Sequence, residues 1–207
     1  MNEQLFDLPE NQKTWEQARQ ELMTSAVATG REFTLKSGRK SDFYVDCRVA
    51  ALRQKDGGML GWLPTAIGRL MTCALARLLT FGVLETRCQC WAPVPLGGIL
   101  LLLRSEVSAP AIVIPRSEEK EHGMKHKVEG LFDASGERLV AEGARTMLIE
   151  DVITTGGSTL RAAEALREAQ LEPTTVLVLV DRQEDGREAL EAAGLDIWSV
   201  FTQADLR

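Results

Sequence analysis

The chain has 207 residues, 44% hydrophobic and 26% charged, which is enough for one globular core. Its 24 Lys and Arg against 30 Asp and Glu leave a net charge of -6 and a pI near 5.1, which argues against a general nucleic-acid binder while leaving room for a local anion site. No apolar signal segment opens the chain, no apolar run approaches the roughly 20 residues of a membrane span, and Cys47, Cys73, Cys88 and Cys90 lack C-x-x-C spacing, so the expectation is a cytoplasmic protein without membrane or nucleic-acid partners.

Residues 12–29, with apolar points at Trp15, Leu22 and Val27, predict a helix that Gly30 ends. Two strand-like stretches follow, REFTLKSG and SDFYVDCR, around Gly38 and Arg39. From Leu60 to Leu79 apolar residues recur at helical spacing through Ile67, Leu70, Met71, Ala74, Leu75 and Leu78, and Gly82 closes that helix. The runs QCWAPV, ILLLLRSE and APAIVIP come next, then a charged stretch from Arg116 to Glu129. RTMLIEDV, TTVLVLVD and DIWSVF read as strands, separated by the helices STLRAAEALREAQ and REALEAAG. Continuous apolar strands alternating with helices predict an α/β fold with a central, mostly parallel sheet. One domain over 1–207 is expected, with an N-terminal helix and hairpin over about 1–50 and an α/β core over about 60–207.

The segment MLIEDVITTGGSTLRAAEAL (147–166) carries the clearest chemistry. An apolar strand ends in two carboxylates, Glu150 and Asp151, and passes through Thr154, Thr155, Gly156, Gly157, Ser158 and Thr159 into an amphipathic helix. Glycines let the backbone turn its amides inward, the helix start adds a positive dipole end, and the hydroxyls add donors. Such a cradle holds a phosphate without a lysine. The adjacent carboxylates would repel phosphate and suit sugar hydroxyls. A Walker loop is excluded, since G-x-x-x-x-G-K-[ST] is absent. The bland alternative is a strand-turn-helix joint whose glycines serve only the turn.

This segment resembles the phosphoribosyl pyrophosphate signature of the type I phosphoribosyltransferases, and three further segments resemble the orotate phosphoribosyltransferase family. The resemblance runs from about residue 20 to 185. It implies that Glu150, Asp151, Thr154, Thr155, Gly156, Gly157 and Ser158 bind phosphoribosyl pyrophosphate. In FTLKSGRKSDFYVDCR (33–48), similar to the family's N-terminal hood over the base, Lys36 is implied at the leaving pyrophosphate and the main chain near Phe43 and Tyr44 at the orotate ring. In VDRQEDG (180–186), Arg182 matches the arginine that recognises orotate, and Thr154 the threonine that also meets the base; a planar guanidinium suits a carboxylate. In IPRSEEKEHGMKHKVEG (114–130), similar to the family's mobile catalytic loop, Arg116, Lys120 and His122 are implied as the groups that stabilise departing pyrophosphate. Taken singly, these segments also read as a surface hairpin, an ion-paired arginine and a solvated charge run.

Three positions depart from the family pattern: Ser117 where many members have lysine, Asp42 where proline is usual, and Gly97 where some carry a pyrophosphate-binding lysine. The resemblance further implies formation of orotidine 5'-monophosphate in pyrimidine nucleotide synthesis, magnesium bound mainly through phosphoribosyl pyrophosphate rather than by a dedicated protein metal site, and a homodimer with a shared active site. The alternatives are a phosphoribosyltransferase acting on another base, and a non-catalytic regulator that binds phosphoribosyl pyrophosphate without consuming it.

Overall fold

A computed structural model of the chain describes residues 9–34, 38, 40–47, 66–80, 90–94, 111–116 and 127–207. The first helix, α1 (Pro9–Ser25), starts on a proline, whose missing N–H has no helical partner at that position anyway. It buries Ala18 and Leu22, and sets Trp15 against Phe201 with ring centroids 5.1 Å apart. The Trp15 Nε1 donates to the Val200 carbonyl at 3.1 Å, so the indole has a polar partner as well as an apolar one.

The helix ends earlier than its apolar spacing predicts. Val27 opens a strand, β1 (Val27–Thr34), paired antiparallel with β2 (Lys40–Val45), Val27 against Val45 and Ala28 against Tyr44. Gly30 therefore lies inside a strand, at an irregularity between Thr29 and Phe33, instead of terminating a helix. The pairing strand supplies what the local sequence does not, since β preference depends on cross-strand neighbours more than on the chain itself. The second helix, α2 (Ala66–Thr80), buries Ile67, Leu70, Met71, Ala74 and Leu75 in the same apolar cluster as α1.

Four parallel strands form the central sheet in the order β3 (Cys90–Pro93), β6 (Arg145–Ile153), β7 (Glu172–Asp181), β8 (Asp196–Thr202). Two short strands, β4 (Ile114–Pro115) and β5 (Val128–Glu129), pair antiparallel and flank residues 116–127. The apolar runs divide by parity, as alternating side chains must. Met147, Ile149, Leu177, Leu179, Trp198 and Val200 join the cluster of α1, α2 and Phe43. Leu148, Val176, Val178 and Ile197 face the other way, toward α3 (Gly157–Glu168) and α4 (Gly186–Ala192). With both faces covered, the strands need no polar alternation, which is why they read as unbroken apolar runs. A 3-10 turn over Gln203–Leu206, not foreseen from sequence, follows β8; Asp205 Oδ2 accepts from the Thr202 amide and hydroxyl, both at 2.8 Å. Among the described residues no helix is long and apolar enough to cross a membrane.

Candidate active site

Strand β6 runs into the glycine-hydroxyl loop as expected. Gly156 takes a left-handed conformation, φ 73°, and stands at the N-cap of α3, its carbonyl accepting the Leu160 amide at 2.9 Å. No side chain caps this helix and its first turn holds no acidic residue, so its amides and dipole remain available to an anion. Among the described residues, a Cβ placed on Gly157 would meet nothing nearer than the Arg161 Nη1 at 3.6 Å and the Thr155 Oγ1 at 3.9 Å. Packing among the described residues therefore does not demand glycine there, whereas a ligand lying against the backbone would.

The two carboxylates differ. Glu150 is 4% exposed, and its Oε2 accepts from the Thr159 Oγ1 at 3.0 Å and the Ser158 Oγ at 3.3 Å, tying the end of β6 to the first turn of α3. Asp151 is half-buried beside it. Burial raises the Glu150 carboxyl from 4.5 to about 8; Asp151 pushes the same way through a shared hydrogen bond and like charge, and the Thr159 hydrogen bond opposes. Since this folded value lies above the unfolded one, the stability linked to the group is whole below about pH 4.5 and is lost as pH rises through about 8. Glu150→Gln, a neutral isostere, is expected to narrow the gap between urea-unfolding stabilities at pH 5 and pH 8. An unchanged gap would contradict the assignment.

The C-terminal end of β7 delivers Arg182 to the neighbouring position, where its amide donates to the Ile153 carbonyl at 3.0 Å. The side chain, 3% exposed, reaches across to the hairpin. Its Nη2 lies 3.1 Å from the Ser41 Oγ, 3.0 Å from the Phe43 carbonyl and 2.8 Å from the Glu184 carboxylate. Phe43 is fully buried, with the Arg182 guanidinium 5.7 Å and the Arg207 guanidinium 5.6 Å from its ring centroid, within cation–π range. Tyr44 is half-buried and stacked on Phe33 at 5.3 Å. Behind Arg182, the buried Asp181 accepts from the Arg187 Nε at 3.0 Å, and Arg187 also bonds the Ile197 carbonyl and the Ser199 hydroxyl, both at 3.1 Å.

The structure thus gathers Glu150, Asp151, Thr154, Thr155, Gly156, Gly157 and Ser158 at the end of β6, with Arg182 beside them at the end of β7 and Phe43 linking the hairpin to it. Arg116 lies next to β4, its amide donating to the Lys127 carbonyl at 2.8 Å and its guanidinium ion-paired with Glu129. Lys36, Lys120 and His122 lie outside the described residues. A shallow cleft of about 380 Å³ sits on the hairpin, lined by Gly30, Arg31, Glu32, Lys40, Ser41 and Asp42; it is not at the strand ends, where the chemistry-bearing residues converge. Ser41, Glu184 and Gly186 are members of the site that sequence reasoning did not single out. For Gly186 a signal was present, a glycine just after the arginine motif, but its reason is spatial: a Cβ there would overlap the Thr154 carbonyl oxygen and come within 2.5 Å of the Ile153 Cγ2.

A parallel sheet covered on both faces, with an anion-cradling loop between one strand and its helix and an acidic pair at that strand's end, defines the type I phosphoribosyltransferase class. No family model matches the chain. It is 37% identical over 182 residues to the orotate phosphoribosyltransferase of Sorangium cellulosum, covering 84% of each protein. It is 32% identical over 181 residues to that of Aquifex aeolicus, covering 87% of this chain and 89% of the relative. Its fold matches the crystal structure of Mycobacterium tuberculosis orotate phosphoribosyltransferase in complex with 5-phospho-alpha-D-ribosyl 1-diphosphate, with a TM-score of 0.63 and 25% identity over 96% of this chain and 99% of that one. The chain belongs to the orotate phosphoribosyltransferase family.

Proposed function

We propose that the chain transfers the 5-phosphoribosyl group from phosphoribosyl pyrophosphate to orotate, giving orotidine 5'-monophosphate and pyrophosphate, a step of pyrimidine nucleotide synthesis. The observation that carries the reading is the convergence of an uncapped anion loop, an acidic pair and a buried arginine at adjacent strand ends. The 5-phosphate lies on the amides of Gly156, Gly157 and Ser158 and the hydroxyls of Thr155 and Ser158. Asp151, less buried than Glu150, takes the ribose hydroxyls, and Glu150 holds the loop to the strand. Arg182 and Thr154 meet the base, with the Phe43 and Tyr44 segment beside its ring.

Orotate N1 gives up its proton to water and forms the new bond to ribose C1 as the C1–O bond breaks with inversion, the electron pair of that bond leaving on pyrophosphate. Charge develops positive on the sugar and negative on the leaving group, so catalysis consists mainly of positioning and of cations at the pyrophosphate. Lys36, Arg116 and Lys120 supply them, and His122 donates a hydrogen bond or a proton to the leaving group. For Arg116 this requires release from Glu129. Magnesium, a hard cation that takes oxygen ligands, fits the donor set: burial first and the neighbouring Asp151 second raise the Glu150 carboxyl, and a cation beside the pair relieves the like-charge part of that shift. Asp151 would hold the ion together with substrate oxygens, and the ion would neutralise pyrophosphate charge. The reading includes a homodimer in which the 116–130 segment of one copy covers the site of the other and excludes water.

A spectrophotometric assay of orotate consumption with phosphoribosyl pyrophosphate and magnesium tests it. The wild type is expected to turn over, and Lys120→Ala to lose on the order of 10²–10³-fold in kcat, the scale of removing one group that stabilises transition-state charge. No turnover by the wild type, with phosphoribosyl pyrophosphate still bound in calorimetry, would overturn the proposal in favour of another base or a regulator.

A further inference from the structure

The turn between β7 and α4 is strained on both sides of one residue. Gln183 and Asp185, neither of them glycine, take φ values of 55° and 48°, in the left-handed region that L residues seldom occupy. Such a conformation persists where surroundings over-determine it. Here the Gln183 amide donates to the Asp181 Oδ1 at 2.8 Å, the Gln183 Oε1 accepts from the Ala204 amide at 3.3 Å, and Gly186 closes against Thr154. Between the two strained residues, Glu184 is turned back so that its carboxylate lies 2.8 Å from Arg182, two positions earlier.

Arg182 is 3% exposed and Glu184 18%. A buried guanidinium needs a counter-charge, and Glu184 provides it before any ligand arrives. If the base carries a carboxylate, as the functional reading above holds, that carboxylate must approach the same guanidinium. Two carboxylates sharing one cation at a poorly hydrated site repel each other, and the resident one lowers affinity for the incoming one. A neutral base has no charge with which to draw Arg182 from Glu184. We infer that Glu184 is a specificity-determining residue, an internal carboxylate that occupies Arg182 in the free protein and shares or yields it only to an acidic base. This rests on the orotate reading, and it gives the strained turn a purpose, since an extended backbone at 183 and 185 would carry Glu184 away.

The test is steady-state kinetics of the wild type, Glu184→Gln and Glu184→Asp, varying orotate and phosphoribosyl pyrophosphate in turn. Glu184→Gln is expected to lower the orotate KM by about tenfold, the scale of one like-charge contact removed at a half-buried site. Glu184→Asp keeps the charge on a shorter arm and is expected to fall between, carrying the test alone if the glutamine variant does not fold. The KM for phosphoribosyl pyrophosphate should move by less than about twofold in both, whereas a role confined to holding the turn would raise both KM values and depress kcat. An orotate KM that is unmoved or raised in both variants sinks this inference alone. A wild type that does not consume orotate sinks the functional reading, and this inference with it.

Discussion

Gly186→Ala is expected to weaken phosphoribosyl pyrophosphate binding and to lower turnover by on the order of 10²-fold, although Gly186 opens α4 and is not part of the phosphate loop itself. The added Cβ would overlap the Thr154 carbonyl oxygen and lie 2.5 Å from the Ile153 Cγ2 and 3.0 Å from the Thr154 carbonyl carbon. Backbone cannot rotate away as a flexible side chain can, so the 153–156 segment must shift by something like 1 Å. Displacements of that size at positioning groups cost about two orders of magnitude in rate. Overpacking of this kind also destabilises by about 1–3 kcal/mol.

The informative comparison is Gly157→Ala, where the nearest atom of the described residues to a new Cβ is 3.6 Å away. That variant is expected to keep the wild-type unfolding temperature while losing affinity, because the methyl group occupies space left for the phosphate. Calorimetric titration with phosphoribosyl pyrophosphate, run beside thermal unfolding, separates the two. A Gly186→Ala protein that binds as tightly as wild type would show that α4 does not set the loop's position.

How far the site could be read from sequence depended on the distance between its parts. The loop from Thr154 to Ser158 was legible because glycines, hydroxyls and a helix start stand next to one another and state their chemistry together. The sheet was legible for a similar reason: the alternate residues of TMLIEDVI and TVLVLV serve two separate apolar clusters, which only a doubly covered strand requires. Val27 does not announce itself as a strand residue, because its partner is Val45 and a helical spacing continues past Ser25 with nothing local to contradict it. Glu150 stood in the sequence as one of two equal carboxylates, and only the fold brings the Thr159 hydroxyl onto it. The contact of Arg182 with Ser41 spans 141 positions and no local pattern announces it. Asp42, a departure from the family's proline, acquires a partner in Arg207 at 2.6 Å. Both groups are well exposed, so the pair itself contributes little. Arg207 also lies over the Phe43 ring, which joins that departure to the hairpin wall of the proposed base site.

Removing the Arg182 side chain is expected to have the largest effect on base recognition. Charge-assisted hydrogen bonds are each worth about 1.5–3 kcal/mol, so loss of a guanidinium that pairs with a carboxylate predicts an orotate KM raised by roughly 10²-fold in Arg182→Ala. Arg182→Lys keeps a charge but not the planar fork and should recover part of that loss. Stability falls as well, since the same guanidinium bonds the Ser41 Oγ and the Phe43 carbonyl and so fastens the hairpin to the end of β7. Breaking a fully buried pair costs about 3–5 kcal/mol; Glu184 keeps access to water, so about 2 kcal/mol is the expected loss here. The two consequences part company in kinetics. Recognition of the base predicts that the orotate KM rises far more than the KM for phosphoribosyl pyrophosphate, and that lysine restores orotate binding more than it restores unfolding stability. Equal increases in both KM values, unrelieved by lysine, would reduce Arg182 to a strut between hairpin and sheet and leave the base without its cationic partner.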